Sequence, residues 1–126
     1  MTDSIEFIYQ PDCPNVDATR AALRQALVAA GQTPRWREWN SALSNCPPHA
    51  RAYGSPTILV NGRDIAGAEP SHAPACRIYR DAAGRVSGVP STDLIASALH
   101  ARAKPTRLLG GFAVLPILGV TLLPKL

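Results

Sequence analysis

The sequence predicts a small α/β domain, and three observations support this prediction. Strand-like and helix-like hydrophobic patterns alternate along the first hundred residues, a proline-initiated apolar strand lies in the middle, and an Asn-Gly turn follows that strand. The chain has 126 residues, of which 46% are hydrophobic, so it can bury a core of its own. We therefore expect one domain over residues 1–103 and a separate segment over residues 104–126.

The first half of the domain is predicted to hold a strand, a helix, a second strand and a less regular piece. An apolar strand pattern covers about 4–10, and helical spacing of apolar residues covers about 14–30. A second strand is expected over about 34–39. A short helical or irregular piece is expected over about 41–52.

The second half is predicted to hold a hairpin and a final helix. Strands over about 57–61 and 63–66 flank Asn61-Gly62, a dipeptide typical of two-residue hairpin turns. The segment Ser91-Thr92-Asp93 precedes apolar residues with helical spacing. It is therefore expected to cap a last helix over about 91–103.

Cys13 is the leading candidate for chemistry. It ends the first predicted strand and opens the first predicted helix, where unpaired N–H groups and the helix dipole favour a thiolate over a thiol. Pro14 suits the first helical turn, where its missing N–H costs nothing. The alternative is that Cys13, at the end of a strand, behaves only as a small apolar residue, which is how most free cysteines behave.

Pro56 is the second candidate, because it follows Ser55 at the entry to an apolar strand. Proline makes the cis form of such a peptide bond accessible. A cis bond here would present a backbone edge to a sulfur or to a substrate chain. The alternative is an ordinary trans proline at the start of a strand.

The segments around Cys13-Pro14, Ser55-Pro56 and Asn61-Gly62 resemble the thioredoxin superfamily. More narrowly, they resemble small bacterial thioredoxin-like proteins of the alkylmercury lyase or mercury-resistance-associated type, some of which resemble selenoproteins at the position of Cys13. The resemblance covers most of residues 1–103 and implies a thioredoxin-like fold, with a central mixed sheet and flanking helices. The matching segments are Asp12-Cys13-Pro14, Gly54-Ser55-Pro56-Thr57-Ile58, Val60-Asn61-Gly62-Arg63-Asp64, Cys76-Arg77-Ile78-Tyr79 and Gly84-Arg85-Val86-Ser87-Gly88-Val89-Pro90.

The chain departs from the dithiol thioredoxin pattern at Val16, where the second cysteine of that motif would stand. Cys13 must therefore act as a single thiol through a mixed disulfide, or recruit a cysteine from elsewhere. Cys76 is the preferred partner, because it lies in a matching segment and its neighbour Arg77 favours the anion. Cys46 lies in a proline-rich stretch and is interpreted as incidental, or otherwise as an accessory thiol.

A soft metal would use the same sulfur atoms. Thiolates select soft cations, and mercury(II) would need only Cys13 and Cys76, in agreement with the resemblance. If the protein cleaved a carbon–mercury bond, Asp12 would be the nearest acid to protonate the leaving carbon. An acid before a helix is more often a cap or a dipole partner. No cofactor is expected, and Hg(II) or an organomercurial would be a substrate.

Three functions therefore stay open: thiol–disulfide exchange, mercury or organomercurial binding with lyase-like chemistry, and a redox-inactive interaction module. The expected partner is a small thiol or a soft metal. The formal net charge is +4, but the basic residues are scattered and lack the aromatic interleaving of a single-strand binder. No nucleic-acid partner is expected.

The last segment is apolar, without a charged residue over 108–123. As a helix it would be about 24 Å long, slightly short of a hydrocarbon core of about 30 Å. Three basic residues precede it and one follows it, which predicts a domain in the cytoplasm tethered to the inner membrane. The alternatives are a tail packed on the domain or on an oligomer partner, or the start of a longer membrane region.

Overall fold

The computed structural model describes residues 3–71 and 76–103, with side chains through residue 99 in the last helix. The predicted membrane-associated segment over residues 104–126 lies outside the described residues. Within the described ranges, no helix combines the length and the apolar character that crossing a membrane requires.

A four-stranded mixed sheet forms the centre of the domain. Its strands are β1 (Ile5–Tyr9), β2 (Arg37–Asn40), β3 (Thr57–Val60) and β4 (Arg63–Asp64), in the spatial order β2-β1-β3-β4. Strand β1 pairs in parallel with β2 and antiparallel with β3, which pairs antiparallel with β4. The parallel pair requires a crossover connection, and α1 (Val16–Ala29) lies within it. The α/β class predicted from the sequence is confirmed.

The two faces of this sheet carry separate apolar clusters. Successive strand residues point to opposite faces, so Phe7 and Ile8 fall on different sides. Helix α1 packs against α3 (Thr92–Ala103) over the face of Phe7, and α2 (Pro48–Arg51) contributes to the cluster around Ile8. The larger cluster contains Ile5, Phe7, Val16, Ala22, Leu23, Ala26, Leu27, Ile58, Val60, Ile95 and Leu99. The smaller cluster contains Ile8, Cys46, Ala50 and Leu59.

The hairpin between β3 and β4 has the predicted turn. Asn61 and Gly62 both have positive φ, 53° and 84° respectively. This conformation defines the type I′ turn and explains the preference for Asn-Gly, because glycine adopts positive φ without steric cost.

The helix ends differ in how well the sequence predicted them. Ser91 caps α3 as expected, since its Oγ accepts the N–H of Leu94 at 3.1 Å. Helix α1, however, begins at Val16 and not near residue 14. Pro14 therefore precedes the helix and does not lie in its first turn.

A second, two-stranded sheet was not predicted. It is a hairpin of β5 (Tyr79–Arg80) and β6 (Val86–Ser87). Its turn is held by Asp81, whose Oδ1 accepts the N–H groups of Ala83 and Arg85 at 2.9 and 2.8 Å. Strands of two residues are too short to produce a hydrophobic period, so pattern analysis does not detect them.

A buried ion pair ties the second hairpin to the main sheet. The guanidinium of Arg77 binds both carboxylate oxygens of Asp64, at 2.9 and 3.0 Å, and also Oγ1 of Thr57 at 2.8 Å. The Asp64 carboxylate is fully buried, and its Oδ2 also accepts the N–H groups of Ala66 and Ala68. Every polar atom of this carboxylate thus has a partner, as a buried charge requires.

We predict that Asp64→Asn lowers the free energy of unfolding by about 3 kcal/mol, because it leaves the partly buried Arg77 without its counter-charge. Chemical denaturation measures this change. The control is Asp17→Asn, which removes an ion pair between Arg20 and a carboxylate that is 97% exposed and should change stability little. Equal losses in the two variants would contradict the importance of the buried pair.

Candidate thiol site

Cys13 lies in the turn that leads from β1 into α1. Its N–H donates to the carbonyl oxygen of Gln10 at 3.1 Å, and the residue is half-buried against the larger apolar cluster. The N-cap of α1 is Asn15, so Cys13 stands two positions before the cap. The sequence predicted Cys13 at the opening of the helix, whereas the structure places it just outside the first turn, where the influence of the helix dipole declines.

The Ser-Pro loop (residues 54–56) lies beside this turn. The peptide bond between Ser55 and Pro56 is cis, as the sequence analysis anticipated, and both residues are buried. The Oγ of Ser55 accepts the backbone N–H of Gln10 at 3.0 Å. This hydrogen bond connects Pro56 to the turn that carries Cys13, so the structure brings two predicted site residues into one region.

Cys76 reaches the same loop from the other side. It forms an isolated parallel bridge with Ser55, and the N–H of Arg77 donates to the Ser55 carbonyl oxygen at 3.0 Å. Ser55 therefore uses its hydroxyl for Gln10 and its carbonyl for Arg77. Its backbone separates the Cys13 turn from Cys76. The side chain of Cys76 is exposed, and the three cysteines are free thiols.

Arg77 has a different role from the one predicted. The sequence placed it beside Cys76 as a cation that favours the thiolate, but the guanidinium binds Asp64 and Thr57. Burial opposes its charge, yet the hydrogen bonds and the charge of Asp64 outweigh burial, so the pKa of Arg77 is raised. Its positive charge is thus balanced by a carboxylate in the interior.

Cys46 is part of the core on the opposite face of the sheet from Cys13. It is only 4% exposed and packs in the smaller cluster with Ile8 and Leu59. Burial raises the pKa of its thiol, and the nearby charge of Arg51 offsets this only in part. These observations favour the interpretation of Cys46 as incidental to the site.

Asp12 is exposed next to Cys13. The interpretation of Asp12 as the helix cap is wrong, because the N-cap position belongs to Asn15, which makes no side-chain capping bond. The structure leaves Asp12, the neighbour of Cys13 in the chain, exposed to solvent.

Three contributors to the site were missed by the sequence analysis. Ser55 and Gln10 join the loop to the turn, and Gly88 lies against the Asn15 side chain. A Cβ atom at Gly88 would stand 2.2 Å from Nδ2 and 2.9 Å from Cγ of Asn15. The only sequence signals were a hydroxyl residue before Pro56 and a glycine in a matching segment, and neither identifies its partner.

The described residues, 3–71 and 76–103, contain no group of three or more His, Cys, Asp or Glu side chains placed to hold a metal ion. A two-sulfur mercury(II) site would need only a pair of thiols. For Cys13 and Cys76, joint protection from alkylation by Hg(II) in solution tests such a site.

We predict that the three cysteines alkylate at clearly different rates in the native protein. Exposed Cys76 should react readily, whereas Cys46 should react slowly at neutral pH because burial shields it and its raised pKa lowers the thiolate fraction. The rate at Cys46 should rise only as the pH becomes alkaline. Site-resolved mass spectrometry of iodoacetamide-treated protein measures all three rates, and equal rates in native and unfolded protein would contradict this burial.

We predict that Gly88→Ala displaces the end of the half-buried Asn15 side chain and lowers the free energy of unfolding by at most about 1 kcal/mol, the low end of the cost of overpacking. The double variant Asn15→Ala/Gly88→Ala should recover most of this loss, because alanine at 15 vacates the space that the new methyl group needs. A double-mutant cycle by chemical denaturation measures the coupling between the two positions. Additive losses would show that the close approach is unimportant.

Comparisons with protein-family models, with curated proteins and with solved structures found no match for this chain.

Proposed function

We propose that the protein is a thioredoxin-like thiol protein in which Cys13 performs thiol–disulfide exchange as a single nucleophile. The observation that carries this proposal is the hydrogen bond between Gln10 and Ser55, which holds the Cys13 turn against the Ser-Pro loop. The thiol is half-buried, so it keeps access to solvent, and it lies on a turn bonded to the loop that contains Pro56. Partial exposure is one feature of reactive cysteines, in which the thiolate is the nucleophile.

The order of the strands supports the thioredoxin-like part of the proposal. The sheet order β2-β1-β3-β4, with β3 antiparallel to its two neighbours, agrees with the central mixed sheet that the resemblance implies. Helices α1 and α3 pack together on one face, and α2 contributes to the other. The candidate nucleophile stands between β1 and α1, at the carboxyl end of a central strand.

The proposed reaction has two exchange steps. The Cys13 thiolate attacks one sulfur of a disulfide, forms a mixed disulfide and releases the other half as a thiolate. A second thiol then attacks the mixed disulfide, regenerates the Cys13 thiolate and leaves with the first half as a new disulfide. In each step one S–S bond forms as another breaks, so the second thiol is oxidised to the same extent as the released half of the substrate is reduced.

An external small thiol is the preferred agent of the second step. Cys76 is the alternative, because its segment bonds to Ser55, the residue that also bonds to the Cys13 turn. A disulfide between the two cysteines would need their Cα atoms within about 7 Å.

Mercury or organomercurial binding is the second candidate, and the observation in its favour is that the turn carrying Cys13 and the segment carrying Cys76 both bond to Ser55. Two thiolates would hold the metal, and the exposed Asp12 would be the proton donor for a leaving carbon. This candidate predicts stoichiometric capture of Hg(II) with joint protection of both thiols. A redox-inactive module predicts neither capture nor exchange.

We predict that incubation of the reduced Cys76→Ser protein with glutathione disulfide places one glutathione on Cys13. Cys13→Ser should abolish the exchange activity, whereas Cys46→Ser should retain it because Cys46 is buried on the other face. Cys76→Ser should keep at least half of the turnover in the presence of glutathione. Peptide mapping locates the adduct, and coupled turnover measures the rate.

Alkylation of the cysteines in the presence of Hg(II), measured beside glutathione adduct formation, separates the alternatives. If substoichiometric Hg(II) protects Cys13 and Cys76 together from alkylation and no glutathione adduct forms, metal binding replaces exchange as the function. If neither adduct nor protection occurs, the chain is a redox-inactive module.

A further inference from the structure

We propose that residues 76–79, here called the Cys76 strap, make the Cys13 site selective for small disulfides. The strap occupies the backbone groups that an extended polypeptide would need for docking. This inference rests on the proposed exchange function and adds the class of substrate.

The backbone groups of the Cys13 turn already have internal partners. The carbonyl oxygen of Tyr9 accepts the N–H of Ser41 at 2.9 Å, and that of Gln10 accepts the N–H of Cys13 at 3.1 Å. The N–H of Gln10 donates to the Ser55 hydroxyl. On this side of the thiol, these backbone groups of Tyr9 and Gln10 are therefore not free for main-chain pairing.

The three carbonyl oxygens of the Ser-Pro loop are likewise engaged. That of Gly54 accepts the Thr57 hydroxyl at 2.6 Å, and that of Ser55 accepts the N–H of Arg77 at 3.0 Å. The carbonyl of Pro56 accepts the phenol of Tyr79. Two of the three donors come from the strap, which thus covers the loop edge that faces away from β1.

The strap is anchored firmly enough to hold this position. Arg77 binds the buried Asp64 through two hydrogen bonds, and its guanidinium lies 4.8 Å from the centroid of the Tyr79 ring. Burial raises the pKa of the Tyr79 phenol, which therefore stays protonated and able to donate. Arg77 and Tyr79, which point inward, alternate with the exposed Cys76 and Ile78. Ile78 is 70% exposed, and such alternation is typical of an extended segment.

An extended peptide binds beside a protein strand by pairing its main chain with free N–H and C=O groups. At the Ser-Pro loop this pairing would have to displace Arg77 and Tyr79 from their partners. A small disulfide needs only a path to the Cys13 sulfur. Binding of a polypeptide substrate would therefore require hydrogen bonds of the strap to break, whereas reaction with a small disulfide would not.

The test compares two disulfides that share one leaving thiol. The first is bis(2-hydroxyethyl) disulfide. The second is an unstructured ten-residue peptide whose single cysteine is joined to 2-mercaptoethanol. In each case the Cys13 thiolate forms a mixed disulfide and the released thiolate takes a proton from water. The full chain carrying Cys76→Ser is used, so that the exposed thiol does not compete.

Second-order rates of Cys13 modification are divided by the rates of a free model thiol with the same probe, which removes differences in intrinsic reactivity. We expect this normalised rate to be at least tenfold higher for the small disulfide than for the peptide. Arg77→Met should raise the normalised peptide rate at least threefold while changing the small-disulfide rate less than twofold.

Two further variants make the comparison robust. Arg80→Met is the matched control, because that arginine is exposed on β5, just after the strap, and its side chain donates to the Gly84 carbonyl; it should leave both rates unchanged. Tyr79→Phe removes one bond to the loop without leaving a buried charge. If Arg77→Met does not fold, Tyr79→Phe should show the same direction of change.

The outcomes separate the two proposals. Equal normalised rates for both probes in the parent protein would overturn the selectivity of the strap while leaving the exchange function intact. Reaction with neither probe above the free-thiol rate would overturn the exchange function, and this inference with it. An unchanged peptide rate in Arg77→Met and Tyr79→Phe would show that the strap is not the cause of any selectivity.

Discussion

The site depends on one buried ion pair, that between Arg77 and Asp64. Asp64 ends the two-residue strand β4, so its position is fixed by the type I′ turn and by pairing with β3. Through Arg77 the carboxylate holds the Cys76 strap, whose backbone and phenol in turn bond to the Ser-Pro loop. Because buried charges are stable only when paired, loss of either partner would release the strap from the Ser-Pro loop, while the bond between Gln10 and Ser55 would still hold that loop to the Cys13 turn.

Local patterns in the sequence predicted the elements of the fold but not the contacts that build the site. Hydrophobic periods indicated the principal strands and the helices, and the Asn61-Gly62 turn and the Ser91 cap follow from local backbone chemistry. The pairing of Arg77 with Asp64 joins residues 13 apart in the chain, and no periodic signal reports it. Sequence proximity instead assigned Arg77 to Cys76, although neighbours in an extended segment point to opposite sides.

The same alternation explains why the cysteines differ so strongly. Tyr9 continues the face of Phe7, and Cys13 packs on that face, beside α1. Cys46 packs around Ile8 on the other face, so the sheet itself lies between the two thiols. Sequence spacing alone could not distinguish these faces for Cys46, because the residue lies in an irregular segment whose direction is set by tertiary packing.

Ser55 bonds both to the turn that carries Cys13 and to the Cys76 strap. Its hydroxyl positions the Cys13 turn and its carbonyl receives the strap, so one residue links the nucleophile to the element that limits access to it. Because Val16 stands where a second cysteine would be, no thiol at the start of the helix can resolve a mixed disulfide at Cys13. A single thiol works most efficiently with partners that arrive and leave freely. Under the proposed exchange function, a closed backbone edge and a single thiol would favour the same substrates, small thiols and disulfides, for two independent physical reasons.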